Sequence, residues 1–424
     1  MAIQKTSSAT RESLSIARLS SKLSSIRLSS AALALIFLLT LLAATPPAQA
    51  QTETVLHNFN CRTDGCSTTA GLVIDGAGNL YGTTPTGGPY AGTVFELTSS
   101  GTFTVLYGFG VQAGDGYAPF GGVILDSAGN LYGTTEQGGA YNAGTVFELT
   151  PTGTETILYS FGHGRDGFYP ITGVVLDQAG NLYGTTQIGG THSYGTVFML
   201  TPSSGTFTTL YNFTGGADGN EPYGVAVDQQ GNLYGITLYG GTYGFGVVFK
   251  VTPSGTETVL HNFTPNGVDG LFPSAPLTVG PNGNLYGTTS YGGALGVGTV
   301  FEITPSGTET ILHSFAAGKK GFYPVAGVTF DKKGNLYGTT FYGGSSDLGT
   351  VFKLTPLGAE SVLHSFADNG TDGFGPDGAV AIDKAGNIYS TTYDGGSGLN
   401  CGYVYGCGTI FKINPKKTLS HYAD

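Results

Sequence analysis

The chain has 424 residues, a formal net charge of −11 and 72 glycines. An acidic surface argues against nucleic acid and anionic membranes as partners, because both repel negative charge. Aromatic residues make up 12% of the sequence, with 25 Tyr, 25 Phe and no Trp. Disordered chains are poor in aromatic residues, so this composition indicates short packed strands joined by tight glycine turns.

Residues 1–50 have the order of a secretory signal peptide. Basic residues precede an apolar run over residues 31–44, and Ala48-Gln49-Ala50 forms a small-residue cleavage site. The run is shorter than the roughly 20 residues that cross a bilayer. We therefore expect cleavage before Gln51 and a mature chain with no membrane span, located in the cell envelope or outside the cell. An organelle transit peptide is the alternative for this Ser- and Arg-rich leader.

A motif of the type Gly-Asn-Leu-Tyr-Gly marks seven tandem units of about 51 residues each. A second motif, of the type Gly-Thr-Val-Phe, follows it in every unit. The Asn of the first motif stands at Asn79, Asn130, Asn181, Asn232, Asn284, Asn335 and Asn387. Repetition in such a fixed register indicates one closed structure and not two or three separate domains.

Each unit contains four short strand signals, which we name A to D in chain order. In the second unit they are residues 122–126, 131–135, 144–150 and 154–161, separated by Asp, Asn, Gly and Pro turn residues. Four antiparallel strands in a unit of this length are typical of a propeller blade. The sequence predicts an all-β, seven-bladed β-propeller over residues 51–415, followed by a short tail at 416–424.

The glycine after the strand-B tyrosine carries no side chain to fit into the sheet. It occurs at Gly82, Gly133 and Gly184 in the first three units. A glycine inside a strand often marks a close approach of another element. We interpret these glycines as points where neighbouring blades approach each other.

The two ends of the repeat region are complementary. Residues 52–59 have the pattern of a strand D with no preceding A, B and C, and residues 408–413 form a strand C with no following D. Pairing them would close the ring and leave no inner strand edge unpaired. The tail residues 418–422 could compete for this place, but they lack the strand-D pattern, so the N-terminal strand is favoured.

The four cysteines lie close to this closure point. In an oxidising compartment they are expected to form two disulfides. Cys61–Cys407 with Cys66–Cys401 would staple the closure, and the local pairs Cys61–Cys66 and Cys401–Cys407 are the alternative. The spacings do not match a zinc site and no His flanks them.

The repeat G-N-L-Y-G-T-T-x-x-G-G…G-T-V-F-x-L-T-P resembles the GloVer (Gloeo/Verruco) tandem repeat of exported bacterial proteins. The match covers all seven units. The resemblance implies an extracytoplasmic location and assigns no active site. The pattern G-V-x-x-D-x-x-G-N-L-Y across strands A and B is also similar to the blade core of NHL-type propellers, an analogy that concerns the fold alone.

The D–A and B–C loops are rich in aromatic residues, and propellers commonly bind ligands on the face that carries these loops. Exposed aromatic rings with one polar end suit stacking on sugars or contact with a protein. Packing of loop on loop is the structural alternative. The candidate ligand-binding aromatics are Tyr117, Phe168, Tyr169, Tyr223, Tyr243 and Tyr323.

One ionisable cluster is not repeated in the other units. His163 and Asp166 lie in the loop that enters the third blade, and His192 lies in the B–C loop of the same blade. We predict that these three residues share one face, where they could form part of a binding site or hold a metal.

Three repeated ionisable positions have structural explanations. A strand-D slot takes His or Tyr and is interpreted as a packing position with a polar tip. The Asp of the D-x-x-G-N turn bonds its own backbone. The Asp-Gly of the D–A loops also fits a turn, although a ring of such residues could bind calcium or sugar hydroxyls.

The sequence contains no G-x-S-x-G, H-E-x-x-H or P-loop motif. We therefore predict a monomeric, non-catalytic scaffold that binds a glycan or an extracellular protein and needs no cofactor. A propeller hydrolase or lyase with a metal near the channel mouth is one alternative, and a purely structural surface protein is another.

Overall fold

A computed structural model of the chain describes residues 53–398 and 406–414. The predicted leader (1–50), the tail (416–424) and Cys401 lie outside the described residues. Within the described ranges all regular structure is β-strand. No helix in this part of the chain has the length and apolar character needed to cross a membrane.

The strands follow the predicted order through the first three blades. The chain starts with β1 (Glu53–Asn58). Blade 1 contains β2 (Val73–Ile74), β3 (Leu80–Thr84), β4 (Thr93–Leu97) and β5 (Phe103–Gly108). Blade 2 follows β6 (Gly116–Tyr117) and contains β7 (Ile124–Leu125), β8 (Leu131–Thr135), the short β9 (Gln137–Gly138), β10 (Thr145–Leu149) and β11 (Glu155–Ser160). Blade 3 contains β12 (Val175–Leu176), β13 (Leu182–Thr186), β14 (Thr196–Thr201) and β15 (Thr206–Asn212).

The remaining four blades repeat this arrangement. Blade 4 contains β16 (Asn220–Val227), β17 (Leu233–Tyr239), β18 (Val247–Val251) and β19 (Glu257–Asn262). Blade 5 contains β20 (Gly270–Pro273), β21 (Thr278–Val279), β22 (Leu285–Gly292), β23 (Thr299–Ile303) and β24 (Glu309–Ser314). Blade 6 contains β25 (Thr329–Phe330), β26 (Leu336–Thr340), β27 (Thr350–Leu354) and β28 (Glu360–Ser365). Blade 7 follows β29 (Gly373–Phe374) and contains β30 (Ala381–Ile382), β31 (Ile388–Thr391), β32 (Asp394–Gly395) and β33 (Thr409–Ile413).

The last blade is completed by the first strand. Its sheet has the order β1-β33-β31-β30, and β1 pairs antiparallel with β33 so that Glu53 lies opposite Ile413 and Asn58 opposite Thr409. The predicted closure of a seven-bladed ring by the N-terminal strand is therefore confirmed.

Seven edge-to-face phenylalanine pairs join the blades. The strand-D Phe of one blade contacts the strand-C Phe of the next, with ring centroids between 5.0 and 5.4 Å apart. Each such pair contributes roughly 0.5–1.5 kcal/mol beyond its buried area. The pairs are Phe59–Phe95, Phe109–Phe147, Phe161–Phe198, Phe213–Phe249, Phe263–Phe301, Phe315–Phe352 and Phe366–Phe411.

The strand-B glycines have a different role from the one predicted. Gly133 lies directly opposite Phe147 of the same blade, and a Cβ on Gly133 would be 2.6 Å from Phe147 Cζ. Gly82 and Gly184 are placed in the same way. The close approach is thus within a blade, where the glycine makes room for a phenylalanine ring on the neighbouring strand.

Hydrogen bonds around the inner strands also link the blades. The strand-B Thr that follows this glycine donates to a carbonyl at the innermost segment of the next blade. Thr134 Oγ1 donates to Thr172 O at 2.7 Å, and Thr288 Oγ1 donates to Ala326 O at 2.9 Å. At the closure Thr391 Oγ1 donates to Ala70 O at 3.2 Å. These carbonyls directly precede strand A, which is the innermost strand of each blade.

The predicted disulfide staple is wrong. Cys61 bonds to Cys66, and both residues lie in the loop directly after β1. A turn in this loop, with the Thr63 amide donating to Asn60 O, brings the two Cα atoms to 4.9 Å, which suits a disulfide. Cys407 still lies beside this loop, since its Sγ is 3.4 Å from the Cys61 amide nitrogen.

Candidate functional site

One end of the central channel carries the D–A and B–C loops, and we call it the loop face. In the D–A loops of blades 2 to 7 a proline precedes a residue that lines the channel. These lining positions, together with the equivalent position of blade 1, differ in every blade although the proline before them recurs in six. They are Thr69, Phe120, Ile171, Tyr223, Ser274, Val325 and Asp377. The cavity they surround has a volume of about 420 Å³, which is within the usual range for a site that binds a small molecule.

Several polar side chains line this cavity. Burial raises the pKa of Asp377 to about 7. Burial, and then the charge of Asp377, raises the pKa of Tyr223 to about 12. Glu136, whose pKa is also raised by burial, and Gln187 contribute polar groups from blades 2 and 3. The mouth therefore combines two carboxyl groups with raised pKa values, Asp377 and Glu136, with the hydroxyl of Tyr223 and the amide of Gln187.

The residue before the proline is held in the left-handed backbone region. Its φ is 58° in Tyr169, 55° in Phe272 and 62° in Tyr323, which is uncommon for residues other than glycine. The amide of each donates to the B–C loop of the preceding blade, for example Tyr323 N to Val297 O at 3.0 Å. Such conformations persist where surrounding structure fixes them and are concentrated at functional sites.

A row of aromatic rings crosses the loop face over blades 4 to 6, and we call it the aromatic arc. Phe272 contacts both Tyr239 and Tyr291, with centroids 5.8 and 6.0 Å away. Tyr323 then contacts Tyr291 at 5.0 Å and Tyr342 at 5.8 Å. The complete arc consists of Tyr239, Phe245, Phe272, Tyr291, Phe322, Tyr323, Phe341 and Tyr342.

The arc is open to solvent at three tyrosines. Tyr239, Tyr291 and Tyr342 are 45%, 47% and 43% exposed, while Tyr323 between them is half-buried. Burial and the neighbouring Tyr291 raise the pKa of Tyr323 to about 12, with a smaller contribution from the charge of Asp377. Phe272 and Tyr323 of the arc are each separated by one proline from a residue that lines the channel mouth, Ser274 and Val325, so the arc adjoins the mouth.

The predicted aromatic site residues fall into two groups. Tyr223 and Tyr323 belong to the channel mouth and the arc, and Tyr243 is 54% exposed in the B–C loop of blade 4. On the opposite side, the Tyr117 hydroxyl donates to Asn142 Oδ1 and Phe168 packs against the core between blades 2 and 3. Tyr169 lies beside Phe168, with centroids 6.4 Å apart. Ligand binding by these residues stays a prediction.

The residues of the predicted ionisable cluster differ in burial, and a shared binding role for them stays a prediction. Asp166 is buried and accepts hydrogen bonds from the Tyr159 hydroxyl at 2.7 Å and from the amides of Gly162 and His163. His163 and His192 are exposed. These three residues are not among the described groups close enough to hold one metal ion. Asp166 therefore has a local structural role in its own loop.

The other repeated carboxylates also have local partners. Asp126 Oδ1 accepts from the amides of Ala128 and Asn130 at 2.8 Å in the A–B turn. Although burial opposes it, these hydrogen bonds hold the pKa of Asp126 below its usual value. In the D–A loops the Asp accepts a hydrogen bond from the strand-D His or Tyr, and Asp64 Oδ2 accepts from His57 Nε2 at 2.9 Å.

Sequence reasoning missed Asp377, Glu136 and Phe272 as members of the site. The signal for Asp377 was present in the repeat, because the position after the loop proline differs in units 2 to 7 while the proline itself recurs. Within a repeat protein, such a variable position on one face points to a ligand surface and not to packing.

Seven four-stranded blades around a channel, with loops of varied sequence at one end, define a seven-bladed β-propeller. Residues 40–228, 156–340 and 308–423 match the Gloeobacter/Verrucomicrobia repeat. The chain belongs to that repeat family. No curated protein matches the sequence.

Solved structures with the same fold are distant in sequence. The extracellular domain of the hybrid two-component system BT3049 from B. thetaiotaomicron has a TM-score of 0.56 and 15% identity, covering 86% of this chain and 41% of that one. An oligogalacturonate lyase from Vibrio parahaemolyticus has a TM-score of 0.53 and 11% identity, covering 87% and 94%. PorZ, a surface component of the type-IX secretion system of Porphyromonas gingivalis, has a TM-score of 0.50 and 14% identity, covering 82% and 47%. At these identities the likeness concerns the fold alone.

Proposed function

We propose that this protein is an exported, non-catalytic scaffold that binds a glycan across the aromatic arc and the adjoining channel mouth. The observation that carries the proposal is the continuous row of rings from Tyr239 to Tyr342, with three solvent-exposed tyrosines. Isolated exposed aromatics are ordinary on a protein surface, but a contiguous row usually marks a binding site.

The chemistry of the arc suits a saccharide. Tyrosine presents an apolar ring face that stacks on the C–H face of a sugar and a hydroxyl that bonds to sugar hydroxyls. Asp377 and Gln187 at the channel mouth add a hydrogen-bond acceptor and an amide within the same cavity. Loops fixed by backbone hydrogen bonds between blades lose little entropy on binding, which favours affinity.

Export is supported by independent features. The Cys61–Cys66 disulfide is typical of an oxidising compartment. Two of the fold neighbours, the BT3049 domain and PorZ, are described as extracellular or surface proteins. An extracytoplasmic propeller with an exposed aromatic surface would meet polysaccharide directly.

A second candidate function is hydrolase or lyase chemistry at the channel mouth. One observation favours it, namely that burial raises the pKa of Asp377 to about 7, where a carboxyl group can exchange protons at neutral pH. The described residues lining the cavity include no His or Cys that would hold a metal there.

A glycan-array screen of the purified protein, followed by calorimetry on any hit, tests the proposal. Tyr291→Ala and Tyr342→Ala are each expected to weaken binding at least tenfold, about 1.4 kcal/mol. The matched control is Tyr141→Ala, because Tyr141 is 53% exposed on blade 2 and outside the arc. It should bind as the parent does.

Three outcomes would contradict the proposal in different ways. A blank array would favour the purely structural role. Equal losses in all three variants would place the ligand elsewhere. Cleavage of the glycan by the parent protein, together with loss of this cleavage in Asp377→Asn, would favour the enzyme.

A further inference from the structure

A set of three side chains recurs at the outer edges where adjacent blades meet. Strand D of one blade supplies His or Tyr, the following D–A loop supplies Asp, and strand D of the next blade supplies Glu at its first residue. Two boundaries combine His, Asp and Glu: His261, Asp269 and Glu309 between blades 4 and 5, and His364, Asp372 and Glu53 between blades 6 and 7.

The ligand atoms in each set lie at the separations a metal ion requires. All three fall within 4.8 Å of one another. His261 Nε2 is 3.2 Å from Asp269 Oδ2 and 3.6 Å from Glu309 Oε1, and His364 Nε2 is 3.2 Å from Asp372 Oδ2. Ligands bound to Zn²⁺ at roughly 2.1 Å in tetrahedral geometry are about 3.4 Å apart.

The carboxylates of both sets have buried oxygens without a hydrogen-bond donor. These are Oδ1 of Asp269 and Asp372 and Oε1 of Glu309 and Glu53. The side chains of Asp269 and Asp372 are only 3% and 5% exposed, so these carboxyl groups are largely removed from bulk solvent. Two neighbouring buried carboxyl groups need a proton or a cation between them.

A third boundary places a positively charged side chain beside the strand-D Glu. Between blades 5 and 6 the loop Asp is replaced by Lys320, whose Nζ is 3.3 Å from Glu360 Oε2. His313 Nε2 is also 3.3 Å from the same oxygen. Here the chain supplies its own positive charge where the other two boundaries have a second carboxylate.

We propose that the His261–Asp269–Glu309 and His364–Asp372–Glu53 sets each bind one divalent transition-metal ion, with Zn²⁺ as the representative ion. One imidazole with two carboxylates is a donor set that zinc accepts. Each ion links the outer strands of two adjacent blades. The second site also fixes β1, because Glu53 is the first residue of the strand that closes the ring.

The repeat itself provides the variants for the test. Three units have Tyr in the strand-D slot, at Tyr107, Tyr159 and Tyr211, so His→Tyr substitutions at His261 and His364 are compatible with the blade. The matched control is His57→Tyr. His57 pairs with Asp64, but Phe103 stacks on its ring at 3.8 Å where the other sites have Glu.

The full-length protein is first stripped of metal with EDTA and then titrated with Zn²⁺. Mass spectrometry measures the number of zinc ions bound per chain. We expect two ions per chain in the parent and in His57→Tyr, one in His261→Tyr and in Glu309→Gln, and none in the double variant His261→Tyr/His364→Tyr. EDTA should lower the melting temperature of the parent and leave that of the double variant unchanged.

Two results would overturn the proposal. The first is a parent protein that binds less than one ion per chain at saturating Zn²⁺. The second is a folded double variant that still binds two zinc ions per chain, which would assign the ions to exposed histidines such as His163 and His192.

Discussion

At the residue scale, the chain contains carboxyl groups that are destabilising when ionised. Burial, and then the charge of Asp115, raises the pKa of Glu155 to about 7. Burial and the charge of Asp218 raise the pKa of Glu257 to about 7 in the same way. At these two boundaries the strand-D slot holds Tyr107 and Tyr211, so no imidazole accompanies the carboxyl pair.

Glu155→Gln should therefore stabilise the protein in a pH-dependent way. Below its usual pKa of 4.5 the Glu155 carboxyl group is neutral in the folded and the unfolded chain, and the substitution has little effect. Between pH 4.5 and 7 the unfolded chain loses this proton while the folded chain retains it, so the free energy of unfolding falls as pH rises.

Thermal melts of the parent and Glu155→Gln at pH 4.5 and pH 8 check this expectation. The variant should melt higher at pH 8 by a few degrees and equal the parent at pH 4.5. Glu257→Gln tests the same expectation independently at another blade boundary. The same melting difference at both pH values would show that the effect is not one of ionisation.

At the element scale, blades 1 to 6 each have a glycine on strand B that faces a phenylalanine on strand C, and blade 7 has Ser390 opposite Phe411. Gly133 lies directly opposite Phe147 on the neighbouring strand. Gly235 lies opposite Phe249 and Gly338 opposite Phe352 in the same way. A Cβ at these glycines would lie 2.4 to 2.7 Å from the ring. The phenylalanine packs in turn on the preceding blade, as Phe147 does on Phe109, so the room left by the glycine is filled by a ring of the blade interface.

Gly133→Ala is expected to destabilise the protein by about 1–3 kcal/mol, the usual effect of overfilling a packed core. Gly76→Ala is the matched control, because Gly76 has negative or extended φ and nothing lies within 4 Å of an added Cβ. Its free energy of unfolding should change by less than about 0.5 kcal/mol. Denaturant titration of both variants measures the difference, and equal values would contradict the role assigned to Gly133.

The sequence predicts features that follow from the repeat period and fails where the result depends on turn geometry or on contacts between blades. The seven blades and the closure by β1 follow from strand patterns that can be read locally. The Cys61–Cys66 pairing depends on a turn that brings two Cα atoms together. The contact of Tyr291 with Tyr323 joins different blades, and spacing along the chain does not specify it.

At the scale of the whole molecule, β1 joins the two ends of the ring. It supplies strand D of blade 7, and Phe59 directly after it packs on Phe95 of blade 1. Without it the β33 edge would be exposed and the Phe95 ring would lose its partner. A ring of blades has no free end only while this strand is in place.

Removal of the chain up to and including Phe59 should therefore open the propeller. Loss of the buried Phe59 alone costs about 3–5 kcal/mol, a large part of the usual 5–15 kcal/mol of total stability. The exposed β33 edge should also cause concentration-dependent association. We expect a synthetic peptide with the sequence of residues 53–59 to restore the monomer and raise the melting temperature, whereas a scrambled peptide should do neither. Light scattering and thermal melts measure both effects, and a truncated chain that stays monomeric with the parent's melting temperature would show that β1 is dispensable for the ring.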